Sequence, residues 1–266
     1  METIKKEATG SDVVLLQQLL NKWGYKVDET GIFDEQTDII VRDFQRKNKL
    51  DVDGIVGKFT WGKLEDENAR QKATLKLTED DFIRCAAILG VEVAAVKAVQ
   101  EVETGGRGGF FAPGYPAILF EGHIFWSQLK KNGVNPNNCV NGNEDILYQK
   151  WTKSHYKSGM AEYERLKRAL AINEKAAYCS ASWGLFQIMG FNYEVCGCKS
   201  VKEFVEKMSA SEGYQLELFT AFLKSNGWDK YLRTLNWAEF ARHYNGPQYA
   251  ANKYDEKLRR AYLKYK

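Results

Sequence analysis

VEVAAVKAVQEVETGGRGGF, residues 91–110, reads as a buried helix that ends in a glutamate and runs into a glycine loop. Val96, Val99 and Glu103 stand at i, i+3 and i+7, so they share one helix face. Glu103 therefore continues an apolar stripe. Glu101 falls on another face, beside Lys97 at i−4, and that face reads as solvated. A carboxylate on a dry face is desolvated, which raises its pKa and keeps its proton on near neutral pH. Gly105, Gly106, Gly108 and Gly109 then open the backbone. The placement suits a general acid; it also suits a carboxylate that caps or pairs something in the loop.

Composition sets the outer bounds. A chain of 266 residues allows one large domain, or a small one beside a medium one. A net charge of +3 suits approach to an anionic surface and is too weak for a nucleic-acid partner. No run of Lys and Arg carries interleaved aromatics, and no apolar run has membrane-spanning length. The first ten residues, METIKKEATG, lack the apolar centre of a signal peptide. The five cysteines are an odd count, which argues against a complete disulfide framework. Cys179, Cys196 and Cys198 match no zinc spacing, so free or buried thiols are expected and no metal is assigned.

Residues 11–64 form a candidate small module. Ser11-Asp12 offers a helix N-cap, Val13, Leu16, Leu20 and Trp23 recur at helical spacing, and Gly24 stops the helix. Thr37–Lys47 reads as a second amphipathic helix with Ile40, Val41 and Phe44 inward. Gly31–Thr37 and Gly54–Thr60 both read G-I-x-x-x-x-T, a glycine turn feeding a helix start. Two such units predict a compact three-helix module. The stretch LLQQLLNKWGYKVDETGIFDEQTDIIVRDFQRKNKLDVDGIVGKFTWGKL resembles the peptidoglycan-binding domain that begins many cell-wall hydrolases. That resemblance implies a wall-binding role for residues 1–66. Asp53, Gly54, Thr60 and Trp61 read as turn and core residues within it.

Glu65–Lys76 is polar and free of glycine and proline, so a linker or helical extension is placed at 67–77 and a second domain at 78–266. Thr78-Glu79-Asp80-Asp81 resembles a capping box ahead of Phe82, Cys85, Ala86 and Leu89. Tyr115–Glu121 is strand-like; Tyr163, Leu166 and Leu170, then 201–208, 212–225, 237–244 and 254–262, have helical patterning. Asn236 with Glu239 three residues on marks one helix start. The fold expected is mainly α, with little strand beyond 115–121.

Three separated pieces share a pattern: Glu103-Thr104-Gly105, Gly184-Leu185-Phe186-Gln187-Ile188 and Tyr244-Asn245-Gly246. Their order resembles the lysozyme-like superfamily, most nearly goose-type lysozymes and lytic transglycosylases. The fuller pattern, with Ile118–Trp126 and Ser182–Asn192, is similar to the N-acetylmuramidase domain of phage endolysins, which often follows a peptidoglycan-binding module. By that resemblance Glu103 matches the catalytic glutamate, and Glu121 is the candidate second carboxylate, with holding the glycine loop or pairing His123 as its other reading. Gln187, Tyr244 and Asn245 would line a glycan cleft or cap local backbone, and His123 would be a structural or substrate-side neighbour. Arg107 is either a contact for a peptide carboxylate or a flexible surface residue.

The resemblance implies cleavage of the β-1,4 bond between N-acetylmuramic acid and N-acetylglucosamine, without cofactor or metal. The partner is bacterial peptidoglycan, met by a monomer that needs no nucleic acid and no membrane insertion. Synthesis in the host cytoplasm and release through a separate membrane pore fit the absent signal peptide. Two rivals stay open: a lytic transglycosylase acting on the same bond, and a wall-binding protein without activity.

Overall fold

The computed structural model describes residues 2–66 and 75–266. The chain divides into two compact units, Met1–Lys76 and Leu77–Lys266. The expected linker lies, over residues 67–74, outside the described residues.

The first unit is built from α1 (Ser11–Lys22), α2 (Glu35–Lys47) and α3 (Lys58–Glu65). Val13, Leu16, Leu20, Val41, Phe44 and Leu64 are wholly buried in its core. The cap of α1 is Gly10, one residue before the Ser11 that the sequence suggests, and it uses no side-chain bond. The second helix starts earlier than Thr37 because the Asp34 side chain accepts from Thr37 N.

The repeated G-I-x-x-x-x-T segments are held by one device used twice. Gln17 Nε2 donates to Ile32 O (3.1 Å) and Thr37 Oγ1 (3.4 Å), while Gly31 N donates to Gln17 Oε1 (2.9 Å). Gln45 Nε2 donates to Ile55 O (3.0 Å) and Thr60 Oγ1 (3.3 Å), while Gly54 N donates to Gln45 Oε1 (2.9 Å). Both glutamines are buried, so each amide satisfies turn groups that would otherwise lose water without compensation.

The second unit is mainly helical, as the periodicity requires. Its elements are α4 (Glu79–Leu89), α5 (Val93–Thr104), β1 (Phe110–Ala112), β2 (Tyr115–Pro116), β3 (Ile118–Phe120) and α6 (Gly122–Lys131). There follow α7 (Ala161–Ile172), α8 (Glu174–Cys179), β4 (Ala181–Trp183), β5 (Ile188–Met189), α9 (Val201–Ala210) and α10 (Glu212–Ser225). The chain ends in α11 (Asp229–Arg233), α12 (Trp237–Asn245) and α13 (Tyr254–Tyr265). The capping box at Thr78–Asp81 is complete, and Asn236 caps α12 by accepting from Glu239 N.

Strand is scarce but extends past the 115–121 run. β1 and β2 pair as a small antiparallel ribbon, and β3, β4 and β5 form an antiparallel sheet in that order. Its register sets Ile118 opposite Trp183 and Phe120 opposite Ala181. The G-L-F-Q-I segment is the turn of the β4–β5 hairpin. Helix α5 lies at the centre, with Ala95, Ala98 and Val99 fully buried, and α13 packs along it. Tyr262 Oη donates to Glu92 Oε2 at 2.9 Å across that contact. All five cysteines are free thiols; Cys85, Cys179, Cys196 and Cys198 are buried and Cys139 is partly exposed. Among the described residues, no helix is long and apolar enough to cross a membrane.

Candidate active site

Glu103 is the last residue but one of α5. Thr104 completes the helix, and Gly105 and Gly106 leave it with φ of 55° and 77°, the left-handed region that glycine enters without a Cβ clash. Arg107 is not free: its Nε donates to Thr104 O at 3.1 Å and so satisfies one of the helix's last carbonyls. Among the described residues, the Glu103 carboxylate meets one donor, Asn245 Nδ2, at 3.2 and 3.4 Å from its two oxygens. Burial raises its pKa from 4.5 to about 7, and the Asn245 bond only partly opposes that rise.

The neighbouring Glu101 has the opposite electrostatics. It accepts from Lys264 Nζ (2.7 Å) and from Tyr265 Oη on α13, and these bonds hold its pKa below the usual range. Lys97, its expected partner, pairs instead with Glu79 of α4. Of the two carboxylates, Glu101 is held toward its ionised form and Glu103 is shifted toward its protonated form.

Asn245 ends α12, directly after Tyr244. Tyr244 stacks on Phe240 at 5.9 Å and meets Phe219 edge-on at 5.5 Å. Burial raises its phenol pKa, and the charge of Glu103 raises it further. Phe219 in turn stacks on Phe186, from the β4–β5 turn, at 3.9 Å. The Y-N-G and G-L-F-Q-I segments are thus joined by a continuous aromatic contact, and Asn245 brings Glu103 to the same place.

Gln187 itself serves the hairpin. Its φ is 50°. Its amide nitrogen donates to Ala117 O (3.1 Å) and Gly184 O (2.8 Å), and its oxygen accepts from Ser182 Oγ (2.8 Å). Both amide hydrogens of Gln187 are thus directed to backbone carbonyls, while the residue itself is exposed.

Glu121 precedes α6, at the end of β3. Tyr156 Oη donates to its carboxylate at 2.7 Å, and Trp151 Nε1 donates to Tyr156 Oη at 3.0 Å. Burial and the adjoining carboxylate push the Tyr156 phenol up to about 12, so it remains a donor. His123 Nδ1 lies 3.3 Å from Glu121 Oε2, within ion-pair range, but its geometry is not that of a hydrogen bond. The His123 ring lies nearly parallel to Tyr148, centroids 6.4 Å apart. Among the described residues, no hydrogen bond or ion pair joins this group to Glu103; they are two separate carboxylate environments.

Two supports of the site had no signal in the sequence. Gln215 of α10, fully buried, donates to Gly109 O (3.2 Å) and accepts from Leu185 N (2.8 Å), tying the glycine loop to the hairpin. Glu212, one helical turn earlier, accepts from Gly109 N at 2.9 Å. A Cβ on Gly109 would fall 2.1 Å from Gln215 Oε1, so only glycine fits this crossing. The second support is a buried ion pair, Glu162–Arg165 at 2.9 Å. Phe120 N donates to Glu162 (3.1 Å) and Arg165 Nη1 donates to Phe120 O (2.8 Å), which fixes the strand just before Glu121.

Comparison with known proteins agrees with this architecture. The family model for N-acetylmuramidase matches residues 92–266, and that for the putative peptidoglycan binding domain matches 9–64. A solved structure, described as the Burkholderia AP3 phage endolysin, is 38% identical over 99% of both chains, with a TM-score of 0.67. The chain belongs to the N-acetylmuramidase family, with a peptidoglycan-binding domain at its N-terminus.

Proposed function

We propose that this glycoside hydrolase of peptidoglycan cuts the β-1,4 bond between N-acetylmuramic acid and N-acetylglucosamine, with Glu103 as general acid. One observation carries the assignment: a carboxylate at the end of a buried helix whose donor is the neutral amide of Asn245, a setting in which burial raises its pKa. Such a group holds a proton to give at the pH where the wall is met. As the C1–O bond breaks, Glu103 delivers that proton to the departing oxygen. Glu121 takes a proton from the water that attacks C1, and the Tyr156 bond keeps its carboxylate aimed. Asn245 orients Glu103 and stabilises the anion left after transfer. Tyr244 and Phe186 supply apolar wall, and His123 flanks Glu121. The N-terminal module raises the local concentration of the catalytic unit on an insoluble polymer.

Digestion of purified peptidoglycan, followed by mass spectrometry of the fragments, tests this reading. Reducing muramic ends are expected. 1,6-Anhydro muramic ends would replace hydrolysis with transglycosylation, and reducing glucosamine ends would move the cut to the other bond. Wall binding without any fragments would remove the catalytic reading altogether.

A further inference from the structure

The helix end that carries Glu103 has a second side. A cavity of about 490 Å³ lies against it, with Glu101, Gly105, Gly106, Lys257, Arg260 and Lys264 in its wall. Glu103 and Asn245 are not part of that wall, so this space adjoins the proposed acid without being its pocket.

The charges here do not balance. Three cations line the cavity against one carboxylate. That carboxylate, Glu101, is already met by Lys264 and Tyr265. Among the described residues neither Lys257 nor Arg260 forms an ion pair, although Arg260 helps hold Glu101 ionised and Glu256 lines an adjoining recess with both. Lys257 Nζ rests over the Tyr254 ring, 5.3 Å from its centroid. Lys257 and Arg260 stand three residues apart on α13, so they project from one face of the helix. Gly105 and Gly106 also line it, and a Cβ at either would meet nothing within 4 Å. The arrangement is a cationic recess beside the helix turn that holds Glu103.

Peptidoglycan carries anions of the kind that would suit such a recess. Its muramic residues carry short peptides on their lactyl groups, and those peptides bear carboxylates. A glycan with muramic acid beside Glu103 has such a peptide leaving the sugar next to the reacting bond. We propose that Lys257 and Arg260 bind a carboxylate of the stem peptide on the muramic residue at the cleavage site. The inference rests on the muramidase reading above. It gives the enzyme a preference for peptide-bearing glycan, which Glu103 by itself would not confer. An arginine fork is suited to a planar carboxylate, and the lysine adds a second charge without fixing direction.

The test compares two soluble substrates free of phosphate: peptidoglycan fragments with their peptides, and the same glycan strands after enzymatic removal of the peptides. The full-length chain carrying Lys257→Ala and Arg260→Ala is expected to show a KM raised about three- to tenfold on the peptide-bearing substrate, with kcat within about twofold. Its KM on the bare strands should be unchanged. Lys202→Ala, an exposed cation elsewhere on the unit, should alter neither. Equal loss on both substrates, or no loss on either, overturns the proposal. Binding of both polymers by chains that also carry Glu103→Gln reads the same ratio without turnover. Failure of the parent chain to release any fragments would sink the muramidase reading, whereas an active parent with no peptide preference would sink this one alone.

Discussion

Replacing Glu103 by glutamine should do two things at once: remove activity and stabilise the fold. The folded chain holds the Glu103 proton more tightly than the unfolded chain, with a pKa of about 7 against 4.5. Its favourable contribution is therefore complete below about pH 4.5 and is lost as pH rises to about 7. A rise of that size corresponds to about 3 kcal/mol. Glu103 is only half-buried, so solvent relaxation reduces this to about 1–3 kcal/mol. Glutamine has nearly the same shape and keeps an oxygen for Asn245 Nδ2. It should therefore raise the melting temperature of the catalytic unit by about 3–8 °C at pH 8 and leave it unchanged at pH 4. Release of fragments from purified peptidoglycan should fall at least about 100-fold, with binding to the wall retained. Differential scanning calorimetry at the two pH values and a fragment assay are sufficient. A variant no more stable at pH 8 than at pH 4, relative to the parent, would refute the buried-acid account. Undiminished hydrolysis would refute the catalytic one.

The other predictions follow from neighbouring groups. The parent enzyme's kcat/KM should fall as pH rises through about 7, and Asn245→Leu should move that limb to higher pH, because the Asn245 bond lowers the Glu103 pKa; a pH–rate profile checks both. Glu121→Gln keeps an acceptor for Tyr156 but cannot take a proton from water, so steady-state hydrolysis should fall about 100-fold or more while thermal stability changes little. Gln17→Ala and Gln45→Ala each strand several buried turn groups, so each should cost the N-terminal module about 2–4 kcal/mol in urea unfolding and weaken wall retention in a pull-down.

The central helix was legible because its signal is local. Val96, Val99 and Glu103 are spaced by the helical repeat, and Gly105 stops the helix within two residues of Glu103. The repeated G-I-x-x-x-x-T segments were legible for the same reason. Their glutamine clamps were not, since Gln17 lies 14 residues from its glycine and Gln45 only 9 from its own, and no common spacing connects them. The fate of Glu101 was also out of reach: a lysine four residues earlier is an adequate local partner, but α13, over 160 residues later, brings Lys264 closer. The β4–β5 hairpin escaped because strands of two or three residues are too short to show alternation. Gln215 holds Gly109 across 106 residues of chain, a pairing that side-chain pattern does not encode. Local physics therefore put Glu103 on the apolar face, and tertiary contacts set the opposite pKa shifts of the two carboxylates.

The free cysteines make the protein unusually easy to instrument. Burial raises the pKa of the Cys85, Cys179 and Cys198 thiols and pushes Cys196 up to about 12, so none offers much thiolate to an alkylating dye. Cys139 is the exception in exposure. With Cys139 changed to serine, one cysteine introduced on the surface of the N-terminal module would be the dominant reactive thiol, and no reducing step would threaten the fold. A single fluorophore could then follow anchoring on intact walls while fragment release reports the catalytic unit separately.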